Sequence, residues 1–308
     1  VILNTPCHLP NETYSLYLGE HHILTTVKAM KMKIFDAIII GSGQAGTPLA
    51  FRLAEEGLKV AFIEKEHFGG TCLNTGCTPT KAYVASARRM FDAKNGEAFG
   101  ITIPVVSKTD LAKVKERKDN LIQDSVKGIR KGIEDNINIT HFAGSASFVE
   151  EKTITINGEE ITADEIYINV GGRPRIPKEY KTVDPLDNQS ILELTKLPEH
   201  LVIVGGSYIG VKFRLNATCL GAKRLDGGSI CVNVNCDQGE PQVVGTHVLL
   251  AIGRVPNSDT LNLEKAGIKT NDQGYIQVNG HLETNVPGIY ALGDCNGEGA
   301  FTHTAYND

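Results

Sequence analysis

Apolar residues near the start of the chain form two short runs separated by a helical pattern. The first run covers 34–40 and leads directly into a glycine-rich turn. Continuous apolar runs of this length are typical of parallel strands that are buried on both faces. A helix is predicted over 46–56, ending at Gly57, and a second strand over 59–64. The pattern therefore predicts a strand–helix–strand unit.

The middle of the chain changes from helical to alternating patterns. We predict one helix over 71–95 and a longer amphipathic helix over 110–133 with many solvated charges. Residues 137–170 alternate between apolar and polar positions, which is typical of an antiparallel meander of short strands. Turns are predicted within it at 157–158 and 163–164.

The composition fits a globular protein with enough apolar residues for two domains. Hydrophobic residues make up 41% of the 308 positions, and the formal net charge is −5 without a basic block. This charge distribution argues against a nucleic-acid-binding stripe and against a membrane-surface helix. No apolar run reaches the roughly eighteen residues of a membrane-spanning helix, so none is predicted.

The cysteines help to predict the cellular compartment. Seven of them occur at irregular spacing. An odd count without a regular framework is unlike that of a small secreted disulfide protein, so we expect the reducing cytoplasm. The sequence contains no pair of C-x-x-C motifs and no histidine cluster with the spacing of a structural zinc site. We therefore predict no metal site.

The turn after the first predicted strand carries three glycines in the pattern G-x-G-x-x-G. Gly41, Gly43 and Gly46 would allow a tight turn, a close approach of the backbone to a pyrophosphate, and close packing of the next helix. Glu64 ends the second predicted strand, near the offset from which an acidic side chain bonds a ribose hydroxyl. Together these features predict a dinucleotide-binding unit of the Rossmann type.

Two cysteines five positions apart form the most specific motif. Cys72 and Cys77 lie near the start of a predicted helix, with Lys81 one turn beyond. The helix dipole and the lysine charge would lower the pKa of a thiol there. Such a pair can accept electrons from a neighbouring flavin and pass them on by thiol–disulfide exchange. The alternative, two unrelated buried cysteines, does not account for the flanking Gly-Thr and Pro-Thr-Lys.

With these motifs, the chain resembles the pyridine nucleotide-disulfide oxidoreductase family, and within it the mercuric reductases and their relatives. The resemblance implies that Cys72 is the interchange thiol on the substrate side and that Cys77 is the thiolate facing the flavin. It also implies that Lys81 lies near the flavin N5 atom and that Gly70 and Thr71 contact FAD.

Three further features extend the resemblance over 33–308. Gly171 belongs to a small-residue turn like the one that follows the family's meander. Asp294 ends 284–294, which is similar to the second FAD motif, and would bond the ribityl chain. Gly144 falls where the family contacts the adenosine half. FAD is therefore the cofactor that the resemblance implies.

A second glycine turn follows an apolar strand at 201–204 and resembles the family's NAD(P) turn. Gly205 and Gly210 would be its glycines, and Tyr208 would be the ring that shields the flavin until nicotinamide arrives. After this turn the chain is shorter than the family pattern by on the order of fifty residues, about one strand–helix–strand unit. Because that unit would carry the residue that discriminates between the nucleotides, NADH or NADPH is expected as co-substrate.

The fold class that follows is α/β, with two Rossmann-like domains. We expect an FAD-binding domain with an antiparallel meander from 33–185 and 284–308, and a shortened NAD(P)-binding domain over 186–283. Residues 1–32 are expected to be an irregular N-terminal extension. The family's C-terminal dimerisation domain is expected to be absent, so the homodimer that is usual in the family is not assumed.

The implied activity is that of a flavoprotein oxidoreductase. Electrons would pass from NAD(P)H through FAD to the Cys72–Cys77 disulfide, and on to a disulfide, Hg(II) or a related acceptor. The alternative is an inactive or partial member of the family that binds FAD without nicotinamide-dependent turnover. On both interpretations the partners are small molecules, and neither nucleic acid nor membrane is involved.

Overall fold

The computed structural model describes residues 32–102, 109–205, 218–235, 240–299 and 301–308, which form a mixed α/β fold. The predicted N-terminal extension lies outside the described residues, except for its last position. The helices are α1 (Gly46–Glu55), α2 (Gly70–Asn74), α3 (Cys77–Lys94), α4 (Leu111–Glu134) and α5 (Thr302–Asn307). The strands are β1 (Lys33–Ile40), β2 (Val60–Glu64), β3 (Ile139–Ala143), β4 (Ala146–Glu150), β5 (Thr153–Ile156), β6 (Glu159–Ile168), β7 (Gly172–Pro174), β8 (Leu201–Val204), β9 (Thr218–Arg224), β10 (Ile230–Asn235), β11 (Gln242–Gly245), β12 (His247–Leu250), β13 (Arg254–Pro256) and β14 (Ile289–Ala291).

In the described residues, a seven-stranded sheet organises the first half of the fold. β1 lies between β2 and β6, β3 lies beyond β2, and these four strands run parallel. β6 has two neighbours on its other side. Its first half pairs antiparallel with β5, which pairs with β4, and its second half pairs in parallel with β14. The parallel strands therefore share one carboxyl edge, which is where such sheets bind ligands.

Both faces of this sheet are covered. Helices α1 and α4 pack on one face against apolar side chains that include Ile39, Phe62 and Ile139. The other face shares a core with β4, β5 and apolar residues of 261–276. Burial on both faces explains why β1 and β2 consist of continuous apolar runs. The division of the chain into domains stays a prediction.

The first predicted elements are confirmed. α1 and β2 form where the apolar pattern placed them. α4 begins directly after Asp110, whose Oδ1 accepts a hydrogen bond from Lys113 N at 3.2 Å. An aspartate at this position satisfies an amide that has no partner inside the helix. Among the described residues, no helix is both long and apolar enough to cross a membrane.

The single helix predicted over 71–95 is wrong. The chain forms α2 and α3, which are separated by Thr75 and Gly76. Gly76 has a φ of −133° and a ψ of −113°, outside the helical region. A Cβ on Gly76 would lie 2.9 Å from Thr71 O, so the tight break requires glycine. The break makes Cys77 the first residue of α3.

The meander predicted over 137–170 is wrong in two respects. β3 does not belong to it, because β3 pairs in parallel with β2. The turn predicted at 163–164 does not form, because β6 continues through it and pairs with β1 on both sides of it. The other predicted turn is confirmed, with left-handed φ values of 53° at Asn157 and 84° at Gly158. The antiparallel part is therefore β4, β5 and the first half of β6.

The second half of the fold is built on smaller sheets. β8 pairs in parallel with β12, while β9, β10 and β11 form an antiparallel sheet. Their apolar side chains share a core with Tyr180 and Val183. Along the chain, the elements that the structure describes between β8 and β12 are β9, β10 and β11. β13 pairs with β7 and so connects the two halves.

Candidate functional site

Three of the predicted binding residues lie at the carboxyl edge of the main sheet. Gly41 follows β1, Glu64 ends β2 and Gly144 follows β3. Gly41 N donates to Ile63 O at 2.8 Å, and Gly144 N donates to Glu64 O at 3.0 Å. Open α/β sheets bind nucleotides at this edge. The structure therefore brings together residues that the sequence separates by about a hundred positions.

The glycine turn after β1 has no room for side chains. A Cβ on Gly41 would lie 2.3 Å from Asn169 O, and one on Gly43 would lie 2.7 Å from Asn169 Oδ1. A Cβ on Gly46 would lie 2.1 Å from Gly41 O. Gly41 also has a φ of +103°, which favours glycine. Bare backbone and the start of α1 thus reach the sheet edge, an arrangement that fits the pyrophosphate of FAD.

Asn169 is a residue of this site that the sequence analysis missed. Its side chain is buried; its Oδ1 accepts from Gly46 N at 3.0 Å and its Nδ2 donates to Leu292 O at 2.9 Å. Its backbone N donates to Ile40 O at 2.7 Å. One side chain therefore joins the start of α1 to the chain after β14. The available signal was an amide side chain directly after an apolar strand, because a buried amide needs hydrogen-bond partners.

Glu64 already makes three hydrogen bonds within the protein. Its Oε2 accepts from Ser42 N at 3.0 Å and from Ser42 Oγ at 2.5 Å. Its Oε1 accepts from Glu66 N at 2.8 Å. A carboxylate offers about four acceptor positions, so one remains on Oε1. The hydrogen bond from a ribose hydroxyl to Glu64 stays a prediction.

The cysteine segment packs directly against the glycine turn. A Cβ on Gly70 would lie 2.9 Å from Gly43 Cα, and Gly70 has a φ of +58°. Thr71 is exposed on α2, whose middle residue is Cys72, and Cys77 begins α3. Both cysteines are partly exposed free thiols. Because a side chain would not fit where these segments meet, the glycine turn after β1 and the segment that carries the thiols lie in close contact.

The two thiols differ in acidity. Burial raises the pKa of Cys72, and the neighbouring Cys77 adds to the rise. Burial also acts to raise the pKa of Cys77, but hydrogen bonds from Thr302 and Cys72 and the charge of Lys81 outweigh it and lower that pKa. The positive end of the α3 dipole acts in the same direction. Cys77 is therefore the member of the pair that loses its proton first.

Thr302 is a second residue that the sequence analysis missed. Its Oγ1 lies 3.0 Å from Cys77 Sγ, and the two residues are 225 positions apart. Thr302 is the first residue of α5. A hydroxyl that donates to a thiolate stabilises the charged form. No local pattern reveals a contact over this separation.

Asp294 lies just after β14 and faces a positive side chain. Its Oδ2 is 3.1 Å from Arg254 Nε. Arg254 Nη2 also donates to Gly172 O, and both ionic residues line a cavity of about 50 Å³ together with Tyr275. Gly171, with a φ of +63°, directly precedes β7. The sequence analysis did not single out Arg254, and the hydrogen bond predicted between Asp294 and the ribityl chain stays a prediction.

The second glycine turn begins like the first. Gly205 has a φ of +127°, and a Cβ on it would lie 2.1 Å from Ala251 O. Ala251 N donates to Val204 O at 2.7 Å. The two turns are built in the same way. Gly41 follows β1 and packs against Asn169, which follows β6. Gly205 follows β8 and packs against Ala251, which follows β12. Tyr208 and Gly210, the other predicted residues of this turn, lie outside the described residues.

The chain matches the model of the family described as pyridine nucleotide-disulphide oxidoreductase. The match covers residues 35–234 and 210–308, two segments that overlap. The chain belongs to this family. Pyridine nucleotide-disulphide oxidoreductases use FAD and NAD(P)H, and they are enzymes that reduce disulfides.

Individual relatives agree with the family match. The dihydrolipoyl dehydrogenase of Bacillus subtilis (strain 168) is 33% identical over 318 aligned residues, which cover 88% of this chain and 69% of the relative. The mercuric reductase of Staphylococcus aureus is 30% identical, covering 84% of this chain and 55% of the relative. Among solved structures, the HOCl-induced flavoprotein disulfide reductase RclA of Escherichia coli, as a Cu(II) complex, has a TM-score of 0.77 and 27% identity, covering 90% of this chain and 69% of that one.

Replacing Thr302 by valine in this pyridine nucleotide-disulphide oxidoreductase is expected to raise the pKa of Cys77. The variant removes the hydroxyl donor 3.0 Å from Cys77 Sγ and keeps the side-chain shape. A hydrogen bond to a charged group contributes about 1.5 kcal/mol, so the alkylation rate of Cys77 at pH 7 should fall roughly tenfold. Iodoacetamide labelling across a pH series, read by peptide mass, measures this rate.

The conservative variant Thr302→Ser keeps the donor and serves as the control. It should retain the alkylation profile of the wild-type chain. Equal profiles for valine and threonine at position 302 would mean that Lys81 and the helix dipole suffice to lower the pKa of Cys77.

Proposed function

We propose that this chain passes electrons from NAD(P)H through FAD to the Cys72–Cys77 pair, and from the dithiol to a small-molecule disulfide or a thiophilic metal ion such as Hg(II). The observation that carries the proposal is the contact between Gly70 and Gly43, which places a thiol pair of unequal acidity against a nucleotide-type glycine turn. A nucleotide fold alone would not need this pair, and a thiol pair alone would not need the turn.

The residues at the sheet edge would hold FAD. Gly41, Gly43 and Gly46 leave space for its pyrophosphate beside the start of α1. Glu64 retains an acceptor position for the adenosine ribose, next to Gly144. Bound there, FAD would supply the two-electron link between NAD(P)H and the dithiol.

Five other residues would lie around the remainder of FAD. Gly70 and Thr71 begin the helix that carries Cys72, and Lys81 lies one turn into α3. Asp294 lines the cavity at the end of β14, and Gly171 directly precedes Gly172, which lines the same cavity. These assignments follow the positions of the family motifs in this sequence.

The thiol pair can reduce a disulfide with its own atoms. Cys72 gives its proton to the Cys77 thiolate, with which it shares a hydrogen bond, and attacks one sulfur of the substrate. A mixed disulfide forms, and the first substrate thiolate leaves and takes that proton from Cys77. Cys77 then attacks Cys72 Sγ, the mixed disulfide breaks, and the second substrate thiolate leaves. Two electrons have moved from the dithiol to the substrate, and Cys72 and Cys77 are joined as a disulfide.

The nature of the acceptor is a separate part of the proposal. The relatives include a mercuric reductase and a flavoprotein disulfide reductase whose structure is a Cu(II) complex. Partial exposure of both thiols is compatible with a metal ion or a small disulfide as acceptor. We place the reaction in the cytoplasm, where irregularly spaced cysteines stay reduced.

One observation favours a second candidate function, FAD binding without nicotinamide-dependent turnover. After the second glycine turn the chain is shorter than the family pattern by on the order of fifty residues, about one strand–helix–strand unit. A dinucleotide half-site of the Rossmann type needs such a helix. The second glycine turn, which repeats the geometry of the first at Gly205, favours the first candidate.

A visible spectrum during anaerobic titration separates the two candidates. The purified chain is expected to be yellow and to develop a long-wavelength absorption band, from a thiolate beside the flavin, when NADH or NADPH is added. Such a spectrum would support electron flow from nicotinamide to the thiol pair. A yellow protein that stays oxidised until dithionite is added would contradict it and support FAD binding alone.

A further inference from the structure

The loop between the two cysteines is held from outside by one side chain. Asn188 Nδ2 donates to Thr75 O at 3.0 Å and lies 3.4 Å from Thr75 Oγ1. Thr75 lies between α2 and α3, in the short interval that separates Cys72 from Cys77. The two bonded residues are 113 positions apart. A distant segment is therefore bonded to the short loop that joins the two cysteines.

The backbone around Asn188 is itself fixed by a local turn. Asp187 Oδ1 accepts hydrogen bonds from Gln189 N at 2.9 Å and from Ser190 N at 2.8 Å. Ser190 Oγ donates to the same oxygen at 2.9 Å. Aspartate turns of this kind restrict the backbone of the residues that they enclose. The direction in which the Asn188 side chain leaves the backbone is therefore determined.

Both ends of this segment are anchored on larger elements. Leu186 N donates to Val248 O of β12 at 2.7 Å. At the other end, Leu192 O accepts from Tyr83 OH of α3 at 3.0 Å and from Lys118 Nζ of α4 at 3.2 Å. The Lys118 side chain is only 2% exposed, and its Nζ also contacts the carboxylate of Glu193 at 2.7 Å. The segment thus forms a rigid bridge between the second half of the fold and the helices behind the thiol pair.

The rest of the Asn188 amide is not used. Its Oδ1 is buried and has no hydrogen-bond partner among the described residues. A buried acceptor without a partner lowers stability, so this side chain is poorly explained by general stability alone. Its placement is explained if the useful part of the amide is the Nδ2 donor at Thr75.

We propose that Asn188 is a positioning residue for the redox pair, which holds the loop between Cys72 and Cys77 in its dithiol geometry through Thr75. The inference rests on the proposed function, in which the pair alternates between dithiol and disulfide. The hydrogen bond is present with both cysteines as free thiols. A disulfide holds the two sulfurs at about 2 Å, closer than two thiols that share a hydrogen bond, so closing it requires the loop between the cysteines to adjust. Asn188 therefore stabilises the dithiol relative to the disulfide.

The thiol–disulfide equilibrium of the pair tests the proposal without any nicotinamide. The chain is equilibrated in glutathione buffers, where the dithiol and one oxidised glutathione give the protein disulfide and two reduced glutathiones. Alkylation followed by peptide mass gives the fraction of disulfide. Asn188→Ala is expected to shift the equilibrium constant towards the disulfide by about fivefold, the value of one ordinary hydrogen bond. Asn188→Leu, which keeps a similar size, loses the donor and adds no charge, should shift it in the same direction.

Gln189→Ala is the matched control. Gln189 is exposed, and its backbone hydrogen bond to Asp187 does not depend on its side chain. The thiol–disulfide equilibrium constant of Gln189→Ala should stay within about twofold of the wild-type value. Lower thermal stability of both Asn188 variants at an unchanged redox constant would overturn the proposal and leave a structural role. If Asn188→Ala does not fold, the equilibrium constant of Asn188→Leu decides. Failure of NAD(P)H to reduce the flavin would reject the proposed function and leave this measurement intact.

Discussion

A Cys77→Ser variant is expected to bind FAD as the wild-type chain does and to lose NAD(P)H-dependent disulfide reduction. Serine keeps the size of the side chain and its position at the start of α3. It neither ionises near neutral pH nor forms a disulfide with Cys72. Turnover should fall by at least about a thousandfold, the order of loss that follows removal of a nucleophile. Steady-state reduction of a disulfide substrate and the absorption spectrum of the reduced protein measure both effects.

Cys219→Ser is the control for this variant. Cys219 is an exposed thiol on β9, outside the sheet edge that carries the thiol pair. It should keep full turnover and the long-wavelength band. If Cys77→Ser turned over a disulfide at the wild-type rate, electrons would reach the acceptor without the pair, and simple flavin chemistry would replace the proposed route.

A Gly41→Ala variant is expected to be purified without FAD. The new Cβ would lie 2.3 Å from Asn169 O, and the residue would be held at a φ of +103°. Left-handed strain of about 1–3 kcal/mol and overpacking of a similar size both act on the turn that would approach the pyrophosphate. The dissociation constant for FAD should therefore rise roughly a hundredfold or more. Flavin absorbance after purification and fluorescence titration with FAD give the result.

Gly57→Ala separates backbone strain from loss of the site. Gly57 also has a left-handed φ, +86°, but nothing lies within 4 Å of a Cβ placed there. This variant should lose about 1 kcal/mol of stability and keep its FAD. Equal FAD affinity for Gly41→Ala and the wild-type chain would show that the turn after β1 is not the pyrophosphate site.

The sequence predicted those parts of the fold whose causes are local. The apolar run of β1, the glycines that follow it and the capping Asp110 each act within a few residues. Gly41, Cys72 and Cys77 could be placed at the site because each lies in a short motif attached to a strand or a helix. The parallel pairing of β6 with β1 and β14 could not be predicted, because a period-two pattern does not reveal which strand is the neighbour.

Long-range contacts account for what could not be predicted. Thr302 and Cys77 meet only because β14 returns to the main sheet beside β6. Asn188 reaches Thr75 because Leu186 is bound to β12 and Leu192 to α3. The break between α2 and α3 also depends on a contact that the sequence does not reveal, although Gly76 itself is a residue that often ends helices. Its backbone angles follow from the close approach to Thr71 O, which no helix propensity includes.

The late arrival of β14 has a consequence for how the polypeptide folds during synthesis. Residues 166–168 of β6 pair with β14, which emerges more than a hundred residues later. Until then, this edge of an apolar strand has unpaired backbone groups, and Asn169 lacks its acceptor at Leu292. An open edge of this kind can pair with other nascent chains. At elongation rates of roughly 5–20 residues per second, the exposed interval lasts several seconds, during which the second half of the fold can form first.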